Sequence, residues 1–427
     1  MSALVIFGLL LILMLTGMPV SIALGLTVLT FLFTMTEVPI EAVALKLFTG
    51  IEKFEIMAIP FFILAGNFLT HGGVAKRMIN FASSMVGHWF GGLGLAGVVA
   101  CALFAAVSGS SPATVVAIGS ILLPAMLKAG FPKEFGAGVV TTSGGLGILI
   151  PPSIVMVMYA VATNSSIGAL FMAGVIPGIL LAGFLGFTTW YRAKKFNYPR
   201  QPKASLSVRL KTFKDSVWGL LLIVVVMGGI YTGIFTPTEA AAMSAVYAFV
   251  IAVFVYKDMT LKDVPRVLLN SASMSAMLLY IITNAVMFSF ILTNESIPQS
   301  LADWMTAQGM GAIIFLLAVN ILLLMAGNFM EPSSIVLIFA PILFPMAMKL
   351  GIDPIHFGII MVVNMEIGMC TPPVGLNLYV ASGITKMGIT QLTVAVWPWL
   401  ISMLVFLVLI TYVPAISLWF PKLLGVM

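Results

Sequence analysis

The chain has 427 residues, of which 61% are hydrophobic and 8% charged, and its mean hydropathy is +1.16. Soluble globular proteins are roughly 45–50% apolar and about 25% charged, so this composition indicates an integral membrane protein and excludes a soluble domain. The net charge of +6 calls for no nucleic acid, because much of it sits in one loop that acts as a topological signal near anionic lipid.

A helix needs about 20 apolar residues to cross a hydrocarbon core about 30 Å thick. The first such run covers 2–34. Its start, MSALVIFGLLLILML, lacks a basic segment, and no cleavage site followed by a soluble chain comes after it, so it reads as a retained span. A second span covers 54–70 and contains MAIPFFILAGNFL at 57–69. Region 90–130 is long enough for two passes but is interrupted by SGSSPAT at 108–114. It therefore reads as a re-entrant hairpin, which survives at membrane depth only when buried in protein or lining a watery cavity. The next span, 135–165, has a glycine-rich, proline-stopped middle, TTSGGLGILIPPS at 141–153, and 167–190 completes a first half over 1–190.

Residues 191–215 hold Arg192, Lys194, Lys195, Arg200, Lys203, Arg209, Lys211 and Lys214 against the single Asp215, with Pro199, Pro202 and Ser205 among them. Short basic loops are retained in the cytoplasm, so this segment reads as a cytoplasmic linker. The second half, 216–427, opens with spans 217–234 and 239–256 on either side of the turn TPTEA, where Thr236 or Thr238 caps the next helix and Glu239 meets its positive end. Span 268–292 follows, then a second hairpin over 311–350 interrupted by NFMEPSS at 328–334. A second broken helix over 355–384 contains NMEIGMCTPPVGLN at 364–377, and 393–418 ends the series. The expected fold is an all-α polytopic membrane protein with nine crossings, two re-entrant hairpins and two broken transmembrane helices. The alternation of an outer-membrane barrel is absent.

The two halves resemble each other. Ser111-Pro112 falls on Glu331-Pro332 at a shift of 220 residues, and a shift of 221 puts Pro124 on Pro345, Lys128 on Lys349, Gly130 on Gly351 and Pro151-Pro152 on Pro372-Pro373. Such self-similarity marks an internal duplication. Five crossings, an odd number, separate the two hairpins, so they enter from opposite faces and the repeat is inverted. The N-terminus is then cytoplasmic and the C-terminus periplasmic.

Inverted repeats with helices broken at the midplane are the architecture of secondary transporters. Proline donates no backbone N–H and clashes with the preceding turn, so each Pro-Pro break frees carbonyls for a hard cation. Opposite each break stands a hydroxyl-rich tip with Ser108, Ser110, Ser111 and Thr114 in one half and Ser333 and Ser334 in the other. A Ser-Pro at a helix start is by itself an ordinary cap; the same tip and break occurring twice point to a site. One Na⁺ is expected between tip and break in each half, and an organic anion between the two tips, where helix N-termini each carry about half a positive charge. The substrate-facing positions are Ser110, Ser111, Pro112, Pro152, Ser153, Pro332, Ser333, Pro373 and Asn377.

Glu331 and Glu366 are the acids expected deepest in the membrane, each an ion ligand, a proton carrier or a local structural partner. Gly144-Gly145-Leu146-Gly147 follows no strand and is no dinucleotide fingerprint. His71, His88 and His356 lack metal-ligand spacing, and Cys101 and Cys370 sit singly in apolar runs. No nucleophile-and-base pair appears, so no enzyme is expected.

Taken together, MAIPFFILAGNFL, SGSSPAT, GGLGILIPPS, FTPTEAAA at 235–242 and TPPVGLNLY at 371–379 resemble the large membrane subunit of the tripartite ATP-independent periplasmic (TRAP) transporters, over nearly the whole chain. The resemblance implies Na⁺-driven uptake of an organic acid, such as a C4-dicarboxylate, across the bacterial inner membrane by an elevator motion, as in the wider ion-transporter superfamily. It also implies two partners, a small four-helix membrane subunit and a periplasmic substrate-binding protein. With no four-span region before residue 1, the small subunit is expected as a separate polypeptide. Carried over, one Na⁺ site comprises Ser108, Ser110 and Ser111 with Gly145 and Gly147. The other comprises Met330, Glu331, Ser333 and Ser334 with Thr371 and Pro372. The alternatives are a stand-alone Na⁺- or H⁺-coupled anion carrier or antiporter that needs no binding protein, and, with less support, a channel.

Overall fold

The computed structural model describes residues 2–36 and 38–426, the side chains of 2–4, 40 and 306 excepted. The chain is a multi-pass, all-helical protein; nine helical stretches among the described residues are long and apolar enough to cross a membrane. These nine are not the nine expected crossings. They include the second limbs of both hairpins and leave out the first span and 354–368.

The expected first span is two helices, α1 (Ser2–Leu15) and α2 (Val20–Met35). Gly17 takes φ +82°, and Pro19 stops the helix because the residue before it is driven out of helical geometry. Next come α3 (Ile40–Thr49), a 3-10 turn (Phe54–Met57), α4 (Ala58–His71) and α5 (Val74–Val86). α5 buries Val74, Ala75, Met78, Ile79 and Ala82 and leaves Lys76 and Asn80 exposed, the one-sided apolar stripe of a helix lying against a core.

The first hairpin is α6 (Gly92–Ser108) and α7 (Ser111–Lys128), which pack on each other and turn through Gly109 at φ +60°. The interrupted helix after it is α8 (Lys133–Ser143), α9 (Leu146–Leu149) and α10 (Ile154–Thr163), with a cis Pro151-Pro152 bond between the last two. Then α11 (Ile167–Lys195) runs for 29 residues, roughly 43 Å at 1.5 Å per residue.

The linker is shorter than 191–215, because α11 reaches Lys195 and α12 (Leu206–Tyr231) starts within it, capped by the Ser205 hydroxyl. A sharp turn joins α12 to α13 (Pro237–Val250), which continues as one π turn (Ile251–Val255). There follow α14 (Val264–Asn294), α15 (Ile297–Ala307), the hairpin α16 (Ala312–Gly327) and α17 (Pro332–Lys349), then α18 (Pro354–Gly368) and α19 (Leu376–Thr385) about a second cis Pro-Pro, Pro372-Pro373. The chain closes with α20 (Ile389–Tyr412) and α21 (Ala415–Leu423).

The hairpin bases lie at opposite ends of the bundle. That of α6–α7 meets the linker: Gln201 donates its N–H to the Gly87 carbonyl at 3.1 Å, and a Cβ on Gly130 would lie 3.7 Å from Pro199. α20 starts at the same end, its Trp399 donating to the Thr189 hydroxyl near the end of α11 at 2.8 Å. It finishes at the other end, where the Tyr412 hydroxyl donates to the Ile313 carbonyl at the base of α16–α17.

The centre is α18, buried from Ile355 to Gly368. A polar chain ties it to its neighbours: Asn364 donates to Asn320 at 2.8 Å, and Asn320 to the Thr411 hydroxyl at 2.9 Å. His356 pairs with the Ser417 hydroxyl at 2.7 Å. Buried polar groups are costly unless bonded, so this chain holds α16, α18, α20 and α21 in one register.

Candidate functional site

Proline and glycine place the site. In each hairpin the second helix starts at Ser111-Pro112 or Glu331-Pro332, where proline is favoured, and each interrupted helix stops at Pro-Pro. The four ends meet. A Cβ at Gly147 would sit 2.6 Å from the Ser110 carbonyl oxygen and 2.9 Å from Ser111 Cα; one at Gly109 would sit 2.9 Å from the Pro152 carbonyl oxygen. The first tip thus rests directly on the first break. In the other half Val374 donates its N–H to the Asn328 carbonyl at 3.0 Å, and a Cβ on Gly327 would lie 2.9 Å from Gly368 Cα.

The halves also cross over. Asn377, on the helix after the second break, donates to the Ser111 hydroxyl of the first tip at 2.7 Å. Cys370 donates to the Thr141 carbonyl at 3.5 Å, and a Cβ on Gly145 would lie 2.6 Å from Glu366 Cγ. Tips and breaks therefore form one cluster instead of two separate junctions.

At each tip the local bonds are these. Ser108 shares a hydroxyl bond with Thr114 at 2.9 Å, and Thr114 also donates to the Ser110 carbonyl at 2.8 Å. Glu331 caps α17: its Oε1 accepts from the Ser334 backbone N–H and hydroxyl, both at 3.0 Å. Ser333 is buried beside it, and Met330 is half-buried. Thr371 donates back to the Ile367 carbonyl at 2.8 Å and precedes Pro372. Ser153 caps α10 and donates to the Ile148 carbonyl at 2.6 Å, so its hydroxyl is spent locally.

A cavity of about 430 Å³ opens between the tips. Ser110, Ser111, Pro112, Pro332 and Ser333 line it, whereas Pro152, Ser153, Pro373 and Asn377 do not. Ser111, Ile154, Pro332 and Leu376, the first residues of α7, α10, α17 and α19, all face it. Four helix N-termini converge there, and Glu331 is the one charged residue among the described residues lining it. The opposite wall is α4 and α14, with Asn67 and Thr70 facing Met274, Met277 and Leu278; Asn67 donates to the Ser271 hydroxyl at 2.8 Å. The prolines of these two helices, Pro60 and Pro265, do not line the cavity, and the duplication alone gives no signal for this wall.

Oxygen ligands for a hard cation are on hand. The side-chain oxygens of Asn328, Asn377 and Ser143, and both carboxyl oxygens of Glu366, are buried without a hydrogen-bond partner among the described residues. Each such atom costs free energy unless something satisfies it, and oxygens on a tip and beside the breaks suit Na⁺. Asn328 opens the NFMEPSS stretch, but only the pairing of tip and break distinguishes it from a surface asparagine.

Residues 7–416 match the family described as the tripartite ATP-independent periplasmic transporter, DctM component. The chain is 77% identical to the C4-dicarboxylate TRAP transporter large permease protein DctM of Rhodobacter capsulatus, over 100% of both chains. It is 54% identical to the protein of the same name from Pseudomonas aeruginosa, over 94% of each. In fold it is similar to the crystal structure of the Alcanivorax borkumensis YdaH transporter, with a TM-score of 0.65, 15% identity, and coverage of 92% of this chain and 90% of that one.

Proposed function

Because this chain belongs to the DctM component family of the tripartite ATP-independent periplasmic transporters, we propose that it is the permease for Na⁺-coupled uptake of a C4-dicarboxylate or similar carboxylate. In this reading it sits in the bacterial inner membrane with the linker and N-terminus cytoplasmic and the C-terminus periplasmic. It pairs with a small four-helix membrane subunit and receives substrate from a periplasmic binding protein. The names of the two relatives supply the substrate class.

The observation that carries the proposal is the cavity between the tips, walled by four helix N-termini and, among the described residues, by no Lys or Arg. Each N-terminus bears about half a positive charge, so four of them amount to about two charges when their fields add. That suits a dianion without the desolvation penalty of buried ammonium groups. Na⁺ at the junction of Ser108, Ser110 and Ser111 with Gly145 and Gly147, and at that of Met330, Glu331, Ser333 and Ser334 with Thr371 and Pro372, offsets the remaining charge of the anion and of Glu331. Charge moved through hydrocarbon is expensive, so loading both ions and substrate lowers the cost of crossing. The inverted repeat then supplies the motion: the hairpins and broken helices travel as one body against α4 and α14, which is the elevator mode. The cross-bond of Asn377 to Ser111 supports one moving body.

The test is uptake of labelled succinate into proteoliposomes under an inward Na⁺ gradient without ATP. The chain is tried alone and then with its small subunit and binding protein. Uptake that needs all three components and stops without Na⁺ is the expected result. Equal uptake by the chain alone makes it a self-sufficient carrier.

A further inference from the structure

Among the described residues no basic side chain lines the central cavity, but a second cavity along the same three helices has two. α10, α14 and α17 line the first with Ile154, Leu278 and Pro332, and continue into a cavity of about 350 Å³ lined by Asn164, Ser289 and Leu337. From Leu278 to Ser289 along α14 is roughly 16 Å at 1.5 Å per residue. Lys46 and Lys53 both line this second cavity, with the hydroxyl-bearing Thr49 and Ser289, and no carboxylate does among the described residues.

Lys46 stands in the last turn of α3, and Lys53 immediately precedes the 3-10 turn that leads into α4. Lys53 donates to the Val161 carbonyl at 2.9 Å and to Asn164 Oδ1 at 2.7 Å, at the C-terminal end of α10. Lys46 lies 5.5 Å from the centre of the Phe290 ring. Partial burial pulls the Lys53 ammonium below the usual lysine range, and Glu55 opposes that shift; an anion beside it restores what burial removes. The cavity is at the end of the bundle remote from the basic linker, since Asn164 closes α10 just before α11 sets off for Lys195.

We propose that this cavity is a waiting site for the carboxylate substrate, held by the ammonium groups of Lys46 and Lys53 before the anion passes along α14 to the tips. It rests on the reading of the chain as an inward carrier of organic anions. Two cations at the mouth of a low-dielectric cleft raise the local anion concentration, and the dipole-lined cavity beyond needs no ammonium group of its own.

The experiment uses the complete transporter in phosphatidylcholine vesicles, with uptake measured against the concentration of succinate-loaded binding protein. For Lys46→Gln/Lys53→Gln the expected result is an apparent KM raised roughly tenfold and a weakened response to ionic strength. Lys46→Arg/Lys53→Arg stays near the parent chain, and Lys203→Gln in the linker changes nothing. Should the double variant fail to reconstitute, Lys46→Gln alone, at an exposed position, carries the test with the same direction. An unchanged KM overturns the site, as does a fall in kcat at constant KM, which reduces Lys53 to a latch on α10. A KM change seen only when phosphatidylglycerol is added assigns the lysines to a lipid headgroup and also overturns it. So does loss of docking of the binding protein by surface plasmon resonance, which moves them to a protein interface. No Na⁺-dependent succinate uptake by the parent transporter sinks the carrier reading and the site together, whereas normal parent uptake with an unaltered double variant sinks the site alone.

Discussion

At Gly147 the first break touches the Ser110 carbonyl so closely that a methyl group would stand 2.6 Å from it. Neither partner is the end of a flexible side chain, so the backbone itself has to move, and overpacking of this kind costs about 1–3 kcal/mol. Gly147→Ala is therefore expected to raise the Na⁺ concentration for half-maximal uptake about tenfold, with expression and helix content intact; an unaltered Na⁺ dependence would remove this contact from the ion site. Residue types alone make the tips legible, because Ser-Pro and Glu-Pro are favoured at the start of a helix. The bond from Asn377 to Ser111 and the unpartnered oxygens of Asn328 and Glu366 are not legible that way. They depend on which distant segments arrive together.

Among the elements, the turn into α13 shows how strong local rules can be. Thr236 accepts from the Glu239 N–H at 3.3 Å while Glu239 accepts from the Thr236 N–H at 2.8 Å and its hydroxyl at 2.9 Å, a complete capping box. Of the two threonines, Thr236 is the cap; Thr238 points instead to the Phe54 carbonyl at 3.3 Å. Thr236→Ala should cost about 1 kcal/mol, seen as a lower midpoint in thermal unfolding in detergent while the Na⁺ dependence of uptake stays put. A shifted Na⁺ dependence would mean that this turn reaches the site. The hairpins and broken helices are legible because proline and glycine interrupt long apolar runs. α3, α5, α15 and α21 are not, since short helices lying on a core have no 20-residue apolar signature. The single span over 2–34 failed for the converse reason: hydropathy sees the oil but averages over Gly17 and Pro19.

For the whole molecule, the proposed motion separates α4 and α14 from the hairpins and broken helices. Ala285 on α14 and Leu337 on α17 face the same cavity from the two sides, and the native Cys101 and Cys370 are buried. Ala285→Cys/Leu337→Cys bridged by a short bis-maleimide is expected to stop uptake, each single variant remaining active after the same treatment; undiminished uptake by the fully bridged protein would rule out a rigid-body crossing. The sequence by itself determined that the chain lies in a membrane, that it repeats itself, where its helices break and which family it belongs to, because hydropathy, proline and glycine act locally. Only the tertiary structure decided that the two breaks share one cluster, that four helix N-termini meet in a cavity lined by no basic side chain among the described residues, and that α4 and α14 complete its wall. Those features are distances between segments that lie far apart along the chain, and they are set by packing in three dimensions, on which local sequence rules are silent.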